Sequence, residues 1–150
     1  MLSVTSEYAL RALTCLVQSD GQKVLGHELA QRTGVPNNYL SKIMIVLRNA
    51  GLVKAVRGIT GGYALVRQPS EVRILDVVEL FDIDALRATC LLDRNTGCSE
   101  EAPCAAHAAW RGVRDTWLRF LRNTTLADVS PPPLPRGERP PETGEVIIRE

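Results

Sequence analysis

The chain has 150 residues, of which 45% are hydrophobic and 23% charged, with a formal net charge of +1 at pH 7. This length allows one domain with a real hydrophobic core and is too short for two large ones. No apolar run approaches the roughly 20 residues of a membrane span, and the N-terminal sequence MLSVTSEYAL lacks the features of a signal peptide. We therefore expect a cytoplasmic protein without a membrane partner, in which structural disulfides are disfavoured.

Apolar residues recur at helical spacing in three N-terminal segments, of about residues 5–19, 26–32 and 36–49. Thr5-Ser6-Glu7 is the expected cap of the first helix. Gly34 is the expected C-cap of the second, and Pro36 suits the first turn of the third. A helix, a short turn with glycine and a second helix form the helix-turn-helix pattern.

Two β-rich runs, LVKAV and YALVR, flank the glycine-rich segment RGITGG. They predict a β-hairpin, and a hairpin that follows a helix-turn-helix is a wing. Arg57 lies at the tip of this wing. A further helix is predicted over residues 74–82, so we assign residues 1–82 to a winged helix-turn-helix DNA-binding domain.

The segment CLLDRNTGCSEEAPCAAH, residues 90–107, holds three of the four cysteines and one of the two histidines. We place most of it in a loop over residues 83–104. Thiolates of Cys90, Cys98 and Cys104 suit the iron and sulfide of an Fe–S cluster, and a loop lets them converge. The alternatives are a structural zinc site completed by His107, or a thiol–disulfide switch. The fourth cysteine, Cys15, lies in the first helix and is expected to be buried as a small hydrophobe.

A long helix is predicted from about Pro103 to Asn123, within a dimerisation segment over residues 103–126. Its apolar face carries both tryptophans, and a small winged-helix domain has little room to bury them. We therefore predict a homodimer formed through this face; the alternative is a helix that folds back on its own domain. Residues 127–150 contain six of the nine prolines and are predicted to form a flexible tail.

The charge is unevenly distributed along the chain. Residues 32–73 carry seven Lys and Arg against one acid, whereas residues 76–107 carry seven acids against two Arg. A basic half favours a polyanionic partner, and the second helix of a helix-turn-helix enters the DNA major groove by its N-terminal end. The candidate DNA-binding residues are Asn37, Asn38, Tyr39, Ser41, Lys42, Arg48, Lys54 and Arg57. For each of these residues, the alternative is an ordinary solvated side chain that does not contact DNA.

The sequence offers no constellation of catalytic residues. It contains no nucleophile–base pair, no phosphate-cradling glycine loop and no paired carboxylates with a pocket. Two histidines leave little acid–base chemistry near neutral pH. We therefore predict that the protein is not an enzyme.

Several segments over about residues 1–130 match a known family: SEYALRAL, LSKIMIVLRNAGLVKAVRGITGGYAL, LDVVELF, CAAHAAWRG and LRNTTLADV. The chain resembles the winged-helix iron–sulfur transcriptional regulators typified by IscR, NsrR and RirA. The resemblance implies a mainly α fold with a small β-hairpin wing and a long C-terminal dimerisation helix. It also implies a bacterial transcription factor whose dimer binds a roughly palindromic operator in double-stranded DNA.

Many family members hold a 2Fe–2S or 4Fe–4S cluster in the loop before the long helix, although some lack the cysteines. The resemblance implies that Cys90, Cys98 and Cys104 are metal ligands, with His107 as the expected fourth. Glu7 is the alternative fourth ligand, because it stands where NsrR carries an acidic ligand from the partner subunit. The spacing from Cys90 to Cys98 is that of RirA and the spacing from Cys104 to His107 is that of IscR. The signal is therefore left open between nitric oxide, iron or cluster supply, and redox state.

The resemblance also assigns roles in DNA recognition. Asn38 and Ser41 occupy base-reading positions, and Arg57 matches a wing arginine that enters the minor groove. Family helices that follow the wing usually open with Ser or Thr; Arg73 stands there, so the cap must come from elsewhere. The predicted function is a dimeric transcriptional repressor that senses its signal through the cluster. The alternative is a cofactor-free or zinc-bound regulator that acts through thiol oxidation or a small-molecule effector.

Overall fold

The computed structural model describes residues 2–56, 58, 61–83, 86, 90 and 98–131. A mainly helical chain with one antiparallel hairpin confirms the predicted fold class. The elements are α1 Val4–Gln18, α2 Gly26–Thr33, α3 Asn37–Asn49, β1 Val53–Val56, β2 Gly62–Leu65, a 3₁₀ turn Pro69–Glu71, α4 Ile74–Val78, α5 His107–Asn123 and α6 Leu126–Val129.

The first three helices pack around one hydrophobic core. Leu13 of α1, Leu29 of α2 and Met44 of α3 are each fully buried in it. Cys15 is 7% exposed and belongs to the same core, which confirms its predicted role as a small hydrophobe. Burial raises the pKa of the Cys15 thiol, although the nearby Arg32 opposes this effect.

The ends of these helices follow from local capping. Ser3 caps α1 by accepting the N–H of Ser6 at 3.2 Å, so the helix begins one residue before the predicted cap. Gly34 ends α2 in the left-handed conformation at φ 70°, as predicted. Pro36 precedes α3 as its N-cap rather than lying in its first turn, and its carbonyl accepts the N–H of Leu40 at 2.8 Å.

The predicted wing is the β1–β2 hairpin, in which Val53 pairs with Leu65 and Val56 with Gly62. Tyr63 is also bridged to Val24 by two backbone hydrogen bonds of 2.8 and 2.9 Å. The wing therefore rests on the connection between α1 and α2. The predicted tip residue Arg57 lies outside the described residues.

The helix that follows the wing is shorter than predicted. It ends at Val78 instead of residue 82, because the N–H groups of Leu80 and Phe81 bond to carbonyls three residues back and tighten the chain into turns. Arg73 provides no side-chain cap, and the first-turn N–H of Asp76 bonds to the carbonyl of Arg73 at 3.1 Å. The carboxylate of Asp76 accepts the N–H of Arg73 at 3.0 Å.

The long helix α5 begins at His107, so the predicted start at Pro103 is wrong. The chain first makes a turn in which the N–H of His107 bonds to the carbonyl of Cys104 at 3.0 Å. Residues 127–129, assigned to the tail from sequence, belong to the short helix α6, where Leu126 is fully buried. Residues 132–150, the rest of the predicted tail, lie outside the described residues.

After α5 the chain returns to the winged domain. The N–H of Ile74 bonds to the carbonyl of Thr124 at 2.9 Å, and the N–H of Leu126 bonds to the carbonyl of Val72 at 2.8 Å. Asp128 caps α6 by accepting the N–H of Thr125 at 2.8 Å. The C-terminal end of α5 is therefore tied to the segment that leads into α4.

Gly62 is predicted to be intolerant of any side chain. A Cβ at this position would lie 2.6 Å from the carbonyl oxygen of Val24, whereas a Cβ at Gly51 would meet nothing within 4 Å. Gly51, at φ 72°, lies in the ordinary left-handed region and Gly62 at φ 152°, so Gly51→Ala is the control for a positive-φ penalty without a close neighbour. Gly62→Ala is expected to lose about 1–3 kcal/mol more unfolding free energy than Gly51→Ala, measured by chemical denaturation. Equal losses in the two variants would contradict the close approach.

Candidate metal centre and DNA-binding face

Three buried side chains converge at the start of α5. Cys90, Cys98 and His107 each offer a ligand atom, and these atoms lie within 4.8 Å of one another. The Sγ of Cys98 is 3.1 Å from Nδ1 of His107, and the Sγ of Cys104 is 3.4 Å from that of Cys90. The structure therefore brings together the three cysteines and the histidine that the sequence singled out. All of these cysteines are free thiols.

A tight turn directs Cys98 and Cys104 towards each other. The N–H of Ala102 bonds to the hydroxyl oxygen of Ser99 at 3.2 Å, and the N–H of Ser99 to the carbonyl of Ala102 at 3.4 Å. The backbone N–H of Cys104 then donates to the Sγ of Cys98 at 3.3 Å. Because α5 begins only at His107, Cys104 lies before the helix and does not share its first turn with His107.

The thiols of the site differ in acidity. The N–H of Cys104 stabilises the Cys98 thiolate, but burial and the neighbouring thiols of Cys90 and Cys104 outweigh it and raise the pKa of Cys98. The hydrogen bond from Cys90, with the backbone N–H groups of Ala106 and His107, lowers the pKa of Cys104 in spite of desolvation. Cys104 therefore exists as thiolate more readily than Cys98.

The donor set fits a metal. Three sulfurs and one imidazole nitrogen are ligands of zinc and of iron–sulfur clusters alike. Cys90 is 3% exposed and His107 6%, so the site is largely closed to water. Within one chain the alternative ligand Glu7 lies apart from this group, 51% exposed and paired with Arg11 on α1; as a ligand from the partner subunit it stays a prediction.

Glu100 is a site residue that sequence reasoning missed. Its carboxylate lies 3.4 Å from Nε2 of His107 and 3.2 Å from the guanidinium of Arg111. A carboxylate close in sequence to a candidate histidine ligand is the signal that could have identified it, since such ligands often donate their second N–H to a carboxylate.

A hydrogen bond connects the segment that follows α4 to the start of α1. The Asp82 carboxylate is 9% exposed and accepts the backbone N–H of Ser3 at 2.8 Å. Desolvation disfavours this carboxylate, but its hydrogen bonding to Ser3 outweighs that effect and lowers the pKa of Asp82. The start of α1 is therefore fixed by a residue that precedes the metal-site residues in the chain.

The candidate DNA-binding residues lie on the exposed side of α3 and on β1. The hydroxyl of Tyr39 is 3.1 Å from that of Thr5, and its ring packs edge-on against Tyr8 at 5.8 Å, so Tyr39 also joins α3 to α1. The hydroxyl of Ser41 donates to the carbonyl of Asn37 at 2.9 Å. The exposed candidates are Asn37, Asn38, Tyr39, Ser41, Lys42, Arg48 and Lys54.

Helix α5 leaves much of its apolar surface uncovered. Val113 is 61% and Phe120 45% exposed, and only His107 and Leu121 of this helix are buried. The side chain of Trp117 packs partly against the core and stacks on Phe120 at 5.6 Å. A cavity of about 170 Å³ opens beside this face, lined by Leu2, Val78, Asp82, Leu86, Trp110, Val113, Arg114, Trp117 and Leu118.

Comparison with known proteins identifies the family. The model of the Rrf2 family, described as iron-dependent transcriptional regulators, matches residues 2–132. The chain belongs to the Rrf2 family. It is 32% identical over 131 residues to the HTH-type transcriptional regulator IscR of Escherichia coli, which covers 85% of this chain and 78% of that protein. The predicted family resemblance is therefore confirmed.

Solved structures agree with this assignment. CymR, the global cysteine regulator of B. subtilis, superposes with a TM-score of 0.71 at 26% identity and covers 87% of this chain and 95% of its own. T. potens IscR superposes with a TM-score of 0.66 at 28% identity, over 85% of this chain and 84% of its own. The protein is a winged-helix transcriptional regulator, a non-enzymatic function, as predicted.

Within the described residues, no helix combines the length and the apolar character that crossing a membrane requires.

The metal-free protein is predicted to react with alkylating agents at Cys104 before it reacts at Cys98 or Cys15. The thiolate is the reactive form, so a lowered pKa gives Cys104 a larger reactive fraction, while Cys15 is buried and has a raised pKa. As the pH rises from about 6 to 9, labelling of Cys104 should precede that of Cys98. Peptide mass mapping after iodoacetamide pulses measures this order; labelling of Cys15 ahead of Cys104 would contradict it.

Proposed function

We propose that this Rrf2-family regulator is a homodimeric repressor that binds a roughly palindromic DNA operator and senses its signal through an Fe–S cluster. Cys90, Cys98, Cys104 and His107 would hold the cluster. The observation that carries the proposal is the convergence of three free thiols and one imidazole in a buried site.

The donor set suits zinc and iron–sulfur clusters alike, so the preference for iron at this site rests on the family. The Rrf2 family is described as iron-dependent, and IscR regulators are among the similar proteins. Four ligands also suit a 2Fe–2S or a 4Fe–4S cluster. When bound, such a cluster supplies a centre that changes charge on reduction and is attacked by oxidants. The single imidazole ligand would make this centre easier to lose than one held by four thiolates.

The dimer is supported by the uncovered face of α5. Exposed Val113 and Phe120 lie on the same face as the half-buried Trp117, so the helix offers aromatic and aliphatic surface to a second copy. Burying such side chains typically stabilises an association by about 1.5–3 kcal/mol each before its entropic costs. A two-fold dimer would place two α3 helices on two half-sites.

Helix α1 provides the physical connection between the site and the DNA-binding helix. Asp82, which precedes the metal-site residues in the chain, holds the N–H of Ser3 at the start of α1. Two residues on, Thr5 contacts the hydroxyl of Tyr39 on α3. A change in the site loop that moves Asp82 would thus shift α3 relative to the DNA. Couplings between two sites are typically about 1–3 kcal/mol, or roughly 5- to 150-fold in affinity.

The cluster is tested by anaerobic purification followed by absorption spectroscopy and non-denaturing mass spectrometry. The wild type is expected to be coloured and dimeric, with added mass equal to iron plus sulfide. Cys98→Ala should lose this mass because it removes a buried ligand, whereas Cys15→Ala should keep it because Cys15 lies in the core. A colourless wild type that carries zinc, or no metal after reconstitution, would refute the Fe–S proposal.

The DNA-binding face is tested on a sequence that the wild type selects from a random duplex pool. Lys42 is exposed near the N-terminal end of α3 and is expected to bind phosphate. Lys42→Ala should weaken binding on all sequences and reduce the slope of log affinity against log salt by about 1. Arg122→Ala is the matched control, because it removes one exposed cation from the last turn of α5. If both variants bind alike, Lys42 is not a DNA contact.

A further inference from the structure

The imidazole of His107 lies between a thiol and a carboxylate. Its Nδ1 is 3.1 Å from the Sγ of Cys98, and its Nε2 is 3.4 Å from Oε1 of Glu100. Arg111, one helical turn further along α5, holds the other oxygen of that carboxylate at 3.2 Å. Since His107 is only 6% exposed, water has little access to the ring. The two ring nitrogens therefore have distinct partners, one in the ligand group and one outside it.

The contact with Glu100 selects one form of the imidazole. An ionised carboxylate only accepts hydrogen bonds, so this contact requires a proton on Nε2. A neutral imidazole carries a single ring proton, so Nδ1 then keeps its lone pair. That lone pair faces Cys98, one of the other proposed ligands. Metal-binding histidines are commonly held in this way, because a carboxylate on the second N–H fixes both the tautomer and the ring orientation.

We infer that Glu100 is a positioning residue of the metal centre. It makes Nδ1 of His107 the ligand atom, and Arg111 holds the Glu100 carboxylate in place. This inference rests on the proposed function, since it requires a cluster at the site with His107 as a ligand. Glu100 itself does not bind the metal.

The neighbouring acid supplies a matched control. Glu101 is exposed like Glu100, but its carboxylate is stabilised by Ser99. Glu101→Ala therefore removes the same charge from the same turn without removing the partner of His107. Glu100→Gln is the conservative variant, because its amide oxygen can still accept the N–H of the imidazole.

The first measurement is the rate at which the reconstituted cluster loses iron to a chelator under anaerobic conditions. Removing an outer hydrogen-bond partner of a metal ligand typically costs about 10- to 100-fold in metal affinity, so Glu100→Ala should lose iron faster by about that factor. Glu100→Gln should fall between Glu100→Ala and the wild type, and Glu101→Ala should match the wild type. Equal rates for Glu100→Ala and Glu101→Ala would overturn the inference.

Two further measurements separate positioning from a general structural role. In protein labelled with ¹⁵N at only one histidine ring nitrogen, pulsed EPR of the reduced cluster should show the stronger coupling to Nδ1; a stronger coupling to Nε2 overturns the inference. In a His107→Ala background, Glu100→Ala should have no further effect on iron release, because its partner is already gone. A further loss as large as in the wild-type background also overturns it.

Failure of the proposed function has its own signature. If the wild type takes up no iron and sulfide, the cluster proposal and this inference fall together. If the wild type holds a cluster but His107→Ala releases iron at the wild-type rate, the cluster proposal stands, but His107 is not a ligand and this inference falls. When the cluster forms and His107→Ala is labile, the comparison of Glu100→Ala with Glu101→Ala decides the role of Glu100 alone.

Discussion

The backbone pairing between the two segments that flank α4 and α5 fixes the position of the long helix. Residues 72–74 and 124–126 exchange hydrogen bonds of 2.8 and 2.9 Å, and Leu121 and Leu126 are fully buried beside them. A helix of 17 residues is about 25 Å long and nearly rigid. Anchoring its C-terminal end therefore also determines where its N-terminal end lies. That end carries His107, so the candidate metal site depends on a pairing at the opposite end of the helix.

The start of α5 also explains why sulfur ligands suit this place. A helix N-terminus presents unpaired N–H groups and a partial positive charge, which favour thiolates nearby. The pKa of Cys104 is lowered by the hydrogen bond from Cys90 and, in this way, by the N–H groups of Ala106 and His107. Cys98 lies in a less favourable environment, where burial and neighbouring thiols raise the pKa. A bound cation would remove this difference, because metal coordination stabilises every thiolate at once.

The fold could be predicted from the sequence where periodicity and turn residues agreed, and the site only in part. Helical spacing gave α1 to α3, and the glycine-rich segment between two β-rich runs gave the hairpin. The start of α5 was misplaced because Pro103 is a good first-turn residue, whereas the bond between His107 and Cys104 depends on the loop's own turns. Cysteine and histidine identities revealed the candidate ligands. Glu100 was missed, since a loop carboxylate near a histidine in sequence is only a weak signal until the fold brings the two side chains together.

Three features of α5 connect the proposed roles of the protein. Its first residue belongs to the ligand group, its middle exposes the apolar face of Val113 and Phe120, and its last turn is anchored to the winged domain through Leu121. In the proposed dimer, the same rigid helix would join the metal site, the partner subunit and the DNA-binding head. A displacement at its first turn could then be accommodated only by moving the dimer contact or the anchored head. Leu121 is fully buried in the core, whereas the dimer face is exposed. The dimer contact is therefore expected to move more easily than the anchored end of α5. The geometry thus favours a signal that changes the spacing between the two heads rather than the internal structure of either one.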